Sequence, residues 1–539
     1  MNLFKSAIES LPQFRELKSA CDENTLPVLV TGVSAIHKAQ IAFSLAEEQM
    51  LIITEDEVTA SRFADDINQM AGDNICLVYP AKDYVFTDIE GASYEYEHRR
   101  LDVLSRLLSG KCRIVAASIE AVLQKTISKE RLSESVITLK QNDDIEIKEL
   151  LSKLVSIGYS RADEKVEGAA QFSARGSIVD IFPVQSSMPV RIEFWGDTID
   201  SISYFDIESQ RRNEKISEIS VSPAIEVVCD TETLISKIEE FSKGVKGKHA
   251  EDIKTKLSED IDKLKNGVTL NSRDKYLVIS DNPATLFDYI NGIVCISEIK
   301  NIVERAKGIV SQYNEDIKIL LERYELCKGL EGYMLDISEF THHLDDKKSV
   351  FLDTFARSSV DVHYKKIINI TAFQNSGWGG ELHQLTEDLS SYCKRGYSVI
   401  LLAGNEKTIK ILQNDLLDEN IPCDIATEKS SLIQGRVMLM PGSTSGGYEY
   451  PDIKQALITQ TQLSPSRRKL KKRKKGEEIK SLSDVSKGDL VVHNMYGIGS
   501  FDGIVKLDVS GVEKDYIKIK YAGTDVLYVP VTQMDLISR

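Results

Sequence analysis

The feature that most constrains the fold of this chain is a regular alternation of short apolar runs and amphipathic stretches over its first 130 residues. Val28-Leu29-Val30-Thr31-Gly32, Gln49-Met50-Leu51-Ile52-Ile53-Thr54, Ile75-Cys76-Leu77-Val78-Tyr79 and Arg113-Ile114-Val115-Ala116-Ala117 read as strands. Between them run helical patterns, notably from Glu95 to Leu108, where Leu101, Leu104, Leu107 and Leu108 share one face. Strands alternating with helices predict a parallel sheet of the α/β class. At 539 residues the chain exceeds what one core supports, so this sheet is one of several domains.

The pattern changes after residue 132. A helix over Ile147–Ile157 ends at Gly158 and is followed by strand candidates at 172–183, 190–197 and 199–205, so 133–224 reads as an α+β insert in the first domain. From 225 to 350 charged helical segments return to the first domain, with one strand expected at Tyr276-Leu277-Val278-Ile279-Ser280. Alternation resumes at 355–463, where Tyr397–Ala403 is a buried strand and Lys407–Leu417 a helix, giving a second, small α/β domain. Residues 464–482 are a basic linker. Residues 483–539 hold Val-, Ile-, Leu- and Tyr-rich runs broken by Gly and Asp, the pattern of a small antiparallel β barrel or curled sheet. Gly497 and Gly499 fall where a bend or close backbone approach needs them.

A formal net charge of −16 argues against wholesale nucleic-acid binding, which needs positive surface to meet phosphates. The run 467–475, with eight positive charges, is the local exception. It lacks interleaved aromatics, so it reads as a flexible linker that touches DNA phosphates weakly, through Arg467, Arg468, Lys471, Lys472 and Arg473, without sequence readout. A solubilising spacer is the plainer alternative. The eight cysteines lie far apart with no Cys-x-x-Cys pair, which fits buried reduced thiols in a cytoplasmic protein better than a disulfide framework or zinc site. His342-His343 with Asp345 and Asp346 offers no third ligand at usable spacing, so no metal is expected. No stretch approaches 18 uncharged apolar residues and the start has no apolar leader-like region, so no membrane association is expected.

One loop has the placement of a catalytic element. Gly32-Val33-Ser34-Ala35-Ile36-His37-Lys38-Ala39 follows a strand and precedes a helical stretch at 40–49, the setting of the phosphate-binding loop G-x-x-x-x-G-K-[ST]. Gly32 and Lys38 are kept. His37 replaces the glycine whose backbone approaches the phosphates, and Ala39 replaces the hydroxyl that ligates magnesium. No acidic cluster after a buried strand accompanies it. The loop is expected to be non-functional, leaving the chain without a catalytic residue or a cofactor of its own.

Two segments carry resemblances to known families. Ala174-Arg175-Gly176-Ser177-Ile178-Val179-Asp180-Ile181-Phe182-Pro183 and Arg191-Ile192-Glu193-Phe194-Trp195-Gly196-Asp197 closely resemble the UvrA-binding domain shared by the excision-repair subunit UvrB and the bacterial transcription-repair coupling factor. Phe205-Asp206-Ile207-Glu208-Ser209-Gln210-Arg211 resembles the turn that follows there, with Asp206 as its Asx residue. Residues 79–124, with Pro80, Tyr84 and Arg99-Arg100-Leu101, are similar to the first UvrB domain. The roughly fourteen residues between Tyr84 and Arg99 are too few for UvrB's damage-probing hairpin. Tyr84, Phe86, Tyr94 and Tyr96 suit packing better than base stacking. The run 488–534 resembles the RNA-polymerase-interacting domain of the coupling factor, a Tudor-like barrel shared with CarD-type regulators.

The resemblance covers nearly the whole chain and implies the N-terminal half of a coupling factor. The fold it implies is a UvrB-like degenerate NTPase-type α/β domain (1–132 and 225–350) with the insert, the small α/β domain, the linker and the barrel. It further implies UvrA binding through Arg175, Arg191 and Trp195, the last being Phe in most of the family. Binding to the RNA polymerase β subunit falls on Lys506, Leu507 and Val509. ATP and magnesium belong to motor domains that follow this stretch in the family. On residue types alone, Arg175 and Arg191 suit surface pairing with Asp180 or Glu193 better than docking, and it is the resemblance that reverses this. Leu507 shares with Val505 and Val509 a face that suits burial as well as exposure. A stand-alone CarD-type regulator and an active UvrB-like helicase are the alternatives.

Overall fold

The computed structural model describes residues 2–86, 94–266, 270–355, 362–375, 377–379, 381–460, 486–493, 497–509, 512–521, 526–530 and 537–538. The first four strands, β1 (Val28–Thr31), β2 (Met50–Thr54), β3 (Cys76–Tyr79) and β4 (Ile114–Ser118), form within a residue of the expected positions. β1, β2 and β4 are buried along their whole length, as strands covered on both faces must be.

The insert follows. β5 (Ile137–Lys140) pairs with β12 (Glu218–Val221). Between them lie β6 (Ser160–Arg161), β7 (Gln171–Arg175), β8 (Ile178–Phe182), β9 (Val190–Trp195), β10 (Thr198–Phe205) and β11 (Arg212–Ile216), a six-stranded sheet in the order β11-β10-β9-β8-β7-β6. All its pairings are antiparallel except β6 with β7. The helix Ile147–Ser156 sends Leu150 and Leu154 into a core with Val179, Ile192 and Phe194. Alternation along β9 therefore turns Arg191, Glu193 and Trp195 to the opposite face.

β13 (Ile293–Ser297), β14 (Lys348–Asp353) and β15 (Lys366–Asn369) then complete the first sheet, whose order is β15-β1-β14-β13-β2-β4-β3 with every pairing parallel. β15 lies within the range expected for the second α/β domain, yet pairs with β1. The expected strand at 276–280 is absent. Arg273–Tyr276 is a 3-10 turn and Leu277–Ser280 a helical one, with Tyr276, Leu277 and Ser280 buried and Val278 and Ile279 half-buried. That is one-sided helical burial, which so short an apolar run does not distinguish from a strand.

The faces of the first sheet belong to two cores. Leu29, Leu51 and Ile53 point into the core that continues into the insert. Val28, Val30, Met50 and Ile52 point into a second core shared with Ile400, Leu402, Tyr448 and Tyr450 of the next sheet. That sheet comprises β16 (Phe373–Asn375), β17 (Ser398–Leu402), β18 (Cys423–Ile425), β19 (Val437–Met440), β20 (Gly447–Tyr450) and β21 (Gln455–Thr459), in the order β16-β20-β21-β17-β19-β18. β17, β18, β19 and β21 run parallel, while β20 and β16 are joined antiparallel at one edge.

The last sheet is antiparallel, with β22 (Leu490–His493), β23 (Gly497–Val509), β24 (Val512–Lys520), β25 (Val526–Pro530) and β26 (Ile537–Ser538) in the order β25-β24-β23-β22-β26. Val491, Phe501, Ile517, Ile519 and Val529 form its core. A Cβ on Gly499 would stand 2.4 Å from Ile519 Cγ2, the close approach anticipated for that glycine. The basic run 467–475 lies outside the described residues. Among the described residues no helix is long and apolar enough to cross a membrane.

Candidate functional site

The loop after β1 sits at the carboxyl ends of the adjacent parallel strands β1, β14 and β13, where open α/β sheets hold their ligands. Gly32 turns the chain at φ +83°, and a Cβ there would lie 2.1 Å from the Ile370 carbonyl oxygen. The fold thus needs this glycine whether or not a phosphate is bound. Ser34 caps the helix Ala35–Leu45, with its hydroxyl 2.7 Å from His37 Nδ1, and the Ser34 N–H donates to the same nitrogen at 3.2 Å. Side chains therefore close the helix N-terminus that would face a phosphate.

Because Nδ1 accepts from Ser34, the His37 proton resides on Nε2. The ring packs against Tyr448 and Tyr450 of β20, with centroids 5.9 and 5.1 Å away. Beside it, Gln40 donates to the Tyr448 hydroxyl at 3.1 Å and accepts from that of Tyr450 at 3.1 Å. Burial pushes the His37 pKa down to about 4, against a smaller upward influence from the Phe373 backbone. The folded protein thus binds this proton less readily than the unfolded chain, where a free imidazole titrates near 6.5. The neutral ring's contribution to stability is complete above pH 6.5 and is lost as the pH falls toward 4. In His37→Gln, melting temperature should fall less between pH 7 and pH 4 than in the wild type; parallel curves would contradict this.

Lys38 does not point to an open cradle. Its Nζ lies 2.5 Å from Glu298 Oε1 and 3.3 Å from Ser297 Oγ. The same Glu298 oxygen accepts from the Thr354 N–H at 2.8 Å and from Thr354 Oγ1 at 2.5 Å. Burial would raise the Glu298 pKa, but Lys38 and Thr354 together hold it below the usual carboxylate range. Burial in turn lowers that of Lys38, with Glu298 opposing.

Asp353 was absent from the sequence-based site. No acidic cluster was expected after a buried strand; β14 is such a strand, lies next to β1 and ends in the single carboxylate Asp353. This is the place of a magnesium-holding carboxylate in a nucleotide-binding sheet. Here Asp353 Oδ1 instead accepts the Ile299 N–H at 3.2 Å, and burial raises its pKa. The signal in the sequence was the run Ser349-Val350-Phe351-Leu352-Asp353, placed among long charged helices.

On the outer face of the insert, Arg191 forms a bidentate pair with Asp180 through Nε (2.7 Å) and Nη2 (2.8 Å), and its guanidinium lies 4.4 Å from the Phe205 ring centre. Arg175 Nη2 reaches the same carboxylate at 3.0 Å. Asp180 is buried and Arg191 nearly so, whereas the Arg175 side chain is half exposed. Trp195 is 84% exposed at the end of β9. The two arginines and the tryptophan thus share one face, with Arg191 engaged internally and Trp195 presented outward. Glu193 pairs with Arg212, and the Ser209 N–H donates to Asp206 Oδ1 at 2.8 Å, making the Asx turn.

A buried ionic cluster lies in the first domain, with Glu226 two residues past the end of the insert. Arg100 Nε bonds Glu226 Oε1 at 2.5 Å, while Lys82 Nζ reaches Glu97 at 2.9 Å, Asp274 at 2.9 Å and Glu226 at 3.5 Å. Tyr84 and Phe86 pack against Tyr333 at 5.2 and 4.8 Å, so these two aromatics belong to packing. His342 pairs with Asp346 one turn away at 3.3 Å, and among the described residues no three His, Cys, Asp or Glu side chains converge to hold a metal ion.

Residues 137–226 match the family described as UvrB interaction domain, and residues 485–539 the family described as CarD-like/TRCF RID domain. A transcription-repair-coupling factor of Bacillus subtilis (strain 168) is 30% identical over 100% of this chain and 47% of its own length. One of Staphylococcus haemolyticus (strain JCSC1435) is 28% identical over 99% of this chain and 46% of its own length. Over nearly its whole length the chain is thus similar to transcription-repair-coupling factors. It spans about half the length of the curated relatives it matches. A solved chain described as an XPD helicase covers 80% of it at a TM-score of 0.21 and 10% identity, too slight a likeness to argue from.

In this chain, Lys506, Leu507 and Val509 lie on β23 opposite Asp515, Lys514 and Val512 of β24. The side chains of Leu507 and Val509 fall outside the described residues. An exposed apolar strip on the same sheet was not foreseen. Leu490 and Val492 of β22 and Ile498 of β23 stand outward around buried Val491, with Val492 directly opposite Ile498. Its signal was the alternation within Leu490-Val491-Val492, which residue types alone do not orient.

Proposed function

We propose that this chain is the adaptor portion of a coupling factor: its last sheet holds stalled RNA polymerase through the β subunit, and its insert recruits UvrA to begin nucleotide excision repair. The observation that carries this reading is the presence on one chain of matches to the UvrB interaction domain and the CarD-like/TRCF RID domain. On this reading the first domain is a UvrB-like scaffold that neither binds nor hydrolyses ATP, the last sheet is a Tudor-like barrel, and the protein works in the cytoplasm. Arg175 and Trp195 make the direct UvrA contacts, Arg191 holds the face in shape, and Lys506, Leu507 and Val509 line the polymerase contact. The run around Arg467, Arg468, Lys471, Lys472 and Arg473 brushes DNA phosphates near the stalled polymerase. Tethering raises the local concentration of UvrA there without any new contact.

The test is co-purification of the full chain with RNA polymerase and UvrA together. One complex holding both partners is expected, with Leu507→Arg losing polymerase alone and Trp195→Ala losing UvrA alone. Capture of polymerase without UvrA under any condition would leave only a transcription-regulator role, and capture of neither would end the proposal.

A further inference from the structure

The remnant phosphate loop is filled. We propose that Glu298 is an internal ligand of this cradle, its carboxylate occupying the anion position that a phosphate takes in a working loop. Three donors from two separate segments converge on one of its oxygens: Lys38 Nζ at 2.5 Å, the Thr354 N–H at 2.8 Å and Thr354 Oγ1 at 2.5 Å. All lie where β1, β14 and β13 end side by side. Glu298 reaches them from a left-handed backbone, φ +61°, which a non-glycine residue keeps only when its surroundings hold it there. Lys38 is almost wholly buried, so it needs a negative partner in place. Asp353, the other remnant, is turned to the N-terminus of the helix Ile299–Glu322 through the Ile299 N–H. Lys38, through Glu298, and Asp353, directly, both fasten the start of that helix. The Glu298 side chain keeps 23% of its surface exposed, so its removal opens the cradle to small oxyanions from solvent.

This inference rests on the loop being inactive, and the experiment separates the two ideas. The full chain carrying Glu298→Ala is melted in sodium formate or sodium phosphate and, at equal ionic strength, in sodium chloride. A lower melting temperature than wild type is expected, with a saturable recovery of about 2–4 °C in formate or phosphate. Wild type and the Lys38→Met/Glu298→Ala double variant should show no such recovery. An anion-insensitive Glu298→Ala, or equal recovery in the double variant, overturns the proposal while leaving the loop inactive. Protection of the wild type by a nucleoside triphosphate, abolished in Lys38→Met, overturns both ideas. Should Glu298→Ala fail to fold, Glu298→Gln decides. It should melt below Lys38→Met/Glu298→Gln, because only the single variant leaves an unpaired buried ammonium, and equal melting would refute the role of Glu298.

Discussion

Arg100→Met is expected to remove about 3–5 kcal/mol of stability from the first domain, the usual loss when one partner of a buried ion pair is taken away. Arg100 is fully buried and bonds Glu226 at 2.5 Å, Gln124 Oε1 at 2.7 Å and the Pro80 carbonyl at 3.2 Å, with its guanidinium over Tyr79 at 4.5 Å. Without it, the one cation left beside Glu226 is Lys82, already shared with Glu97 and Asp274. The cluster holds two cations against three carboxylates, and burial raises the pKa of Glu97, against the opposing charge of Lys82. Arg100 and Lys82 hold that of Glu226 low, against burial. Arg100→Met/Glu226→Met should lose less than Arg100→Met alone, because Lys82 then still faces Glu97 and Asp274. Urea denaturation followed by circular dichroism measures both. A loss under about 1 kcal/mol for Arg100→Met would show that water reaches the cluster.

The second large effect concerns the proposed docking of UvrA. Trp195→Ala should weaken binding by about 1–3 kcal/mol, the scale of an exposed aromatic hot spot, and Arg175→Ala by less. Neither should alter the melting curve, since Trp195 is 84% exposed and Arg175 half exposed. Arg191→Ala should behave differently. It leaves buried Asp180 with Arg175 alone and uncovers Phe205, so insert stability and UvrA affinity fall together. Calorimetry alongside thermal melting separates these outcomes. Unchanged affinity in a folded Trp195→Ala/Arg175→Ala protein would exclude this face as the docking surface.

How far the sequence revealed these features follows from the physics of each element. β1, β2, β3 and β4 announce themselves as isolated apolar runs between amphipathic helices. β13 and β14, at the centre of the same sheet, sit beside long charged helices such as Ile299–Glu322 that dominate the local pattern. The helical turn at 277–280 and the strand at 293–297 are both short apolar runs, and only their packing partners tell them apart. The same holds for the sites. His37 and Ala39 could be recognised as losses, because a loop motif fixes spacing along the chain. Glu298 and Thr354 could not, because they reach Lys38 only through the pairing of distant strands. For Arg175 and Arg191, residue types favoured surface pairing with Asp180 or Glu193, and the family resemblance favoured docking. The geometry assigns most of the pairing to Arg191, and the exposed position to Trp195.

The place of β1 in its sheet has a consequence for how the chain is made. Its two strand neighbours, β14 and β15, begin at residues 348 and 366, more than 300 residues after β1 itself. At roughly 5–20 residues per second, a ribosome needs about 15–60 s to deliver the first of them. Through that interval the apolar run Val28-Leu29-Val30 waits without a hydrogen-bonding partner, while β2, β3 and β4 can already join one another. The N-terminal segment is therefore the part of the nascent chain most in need of a chaperone. A ribosome that stalls before residue 348 releases a product whose first strand lacks both of its neighbours in the sheet.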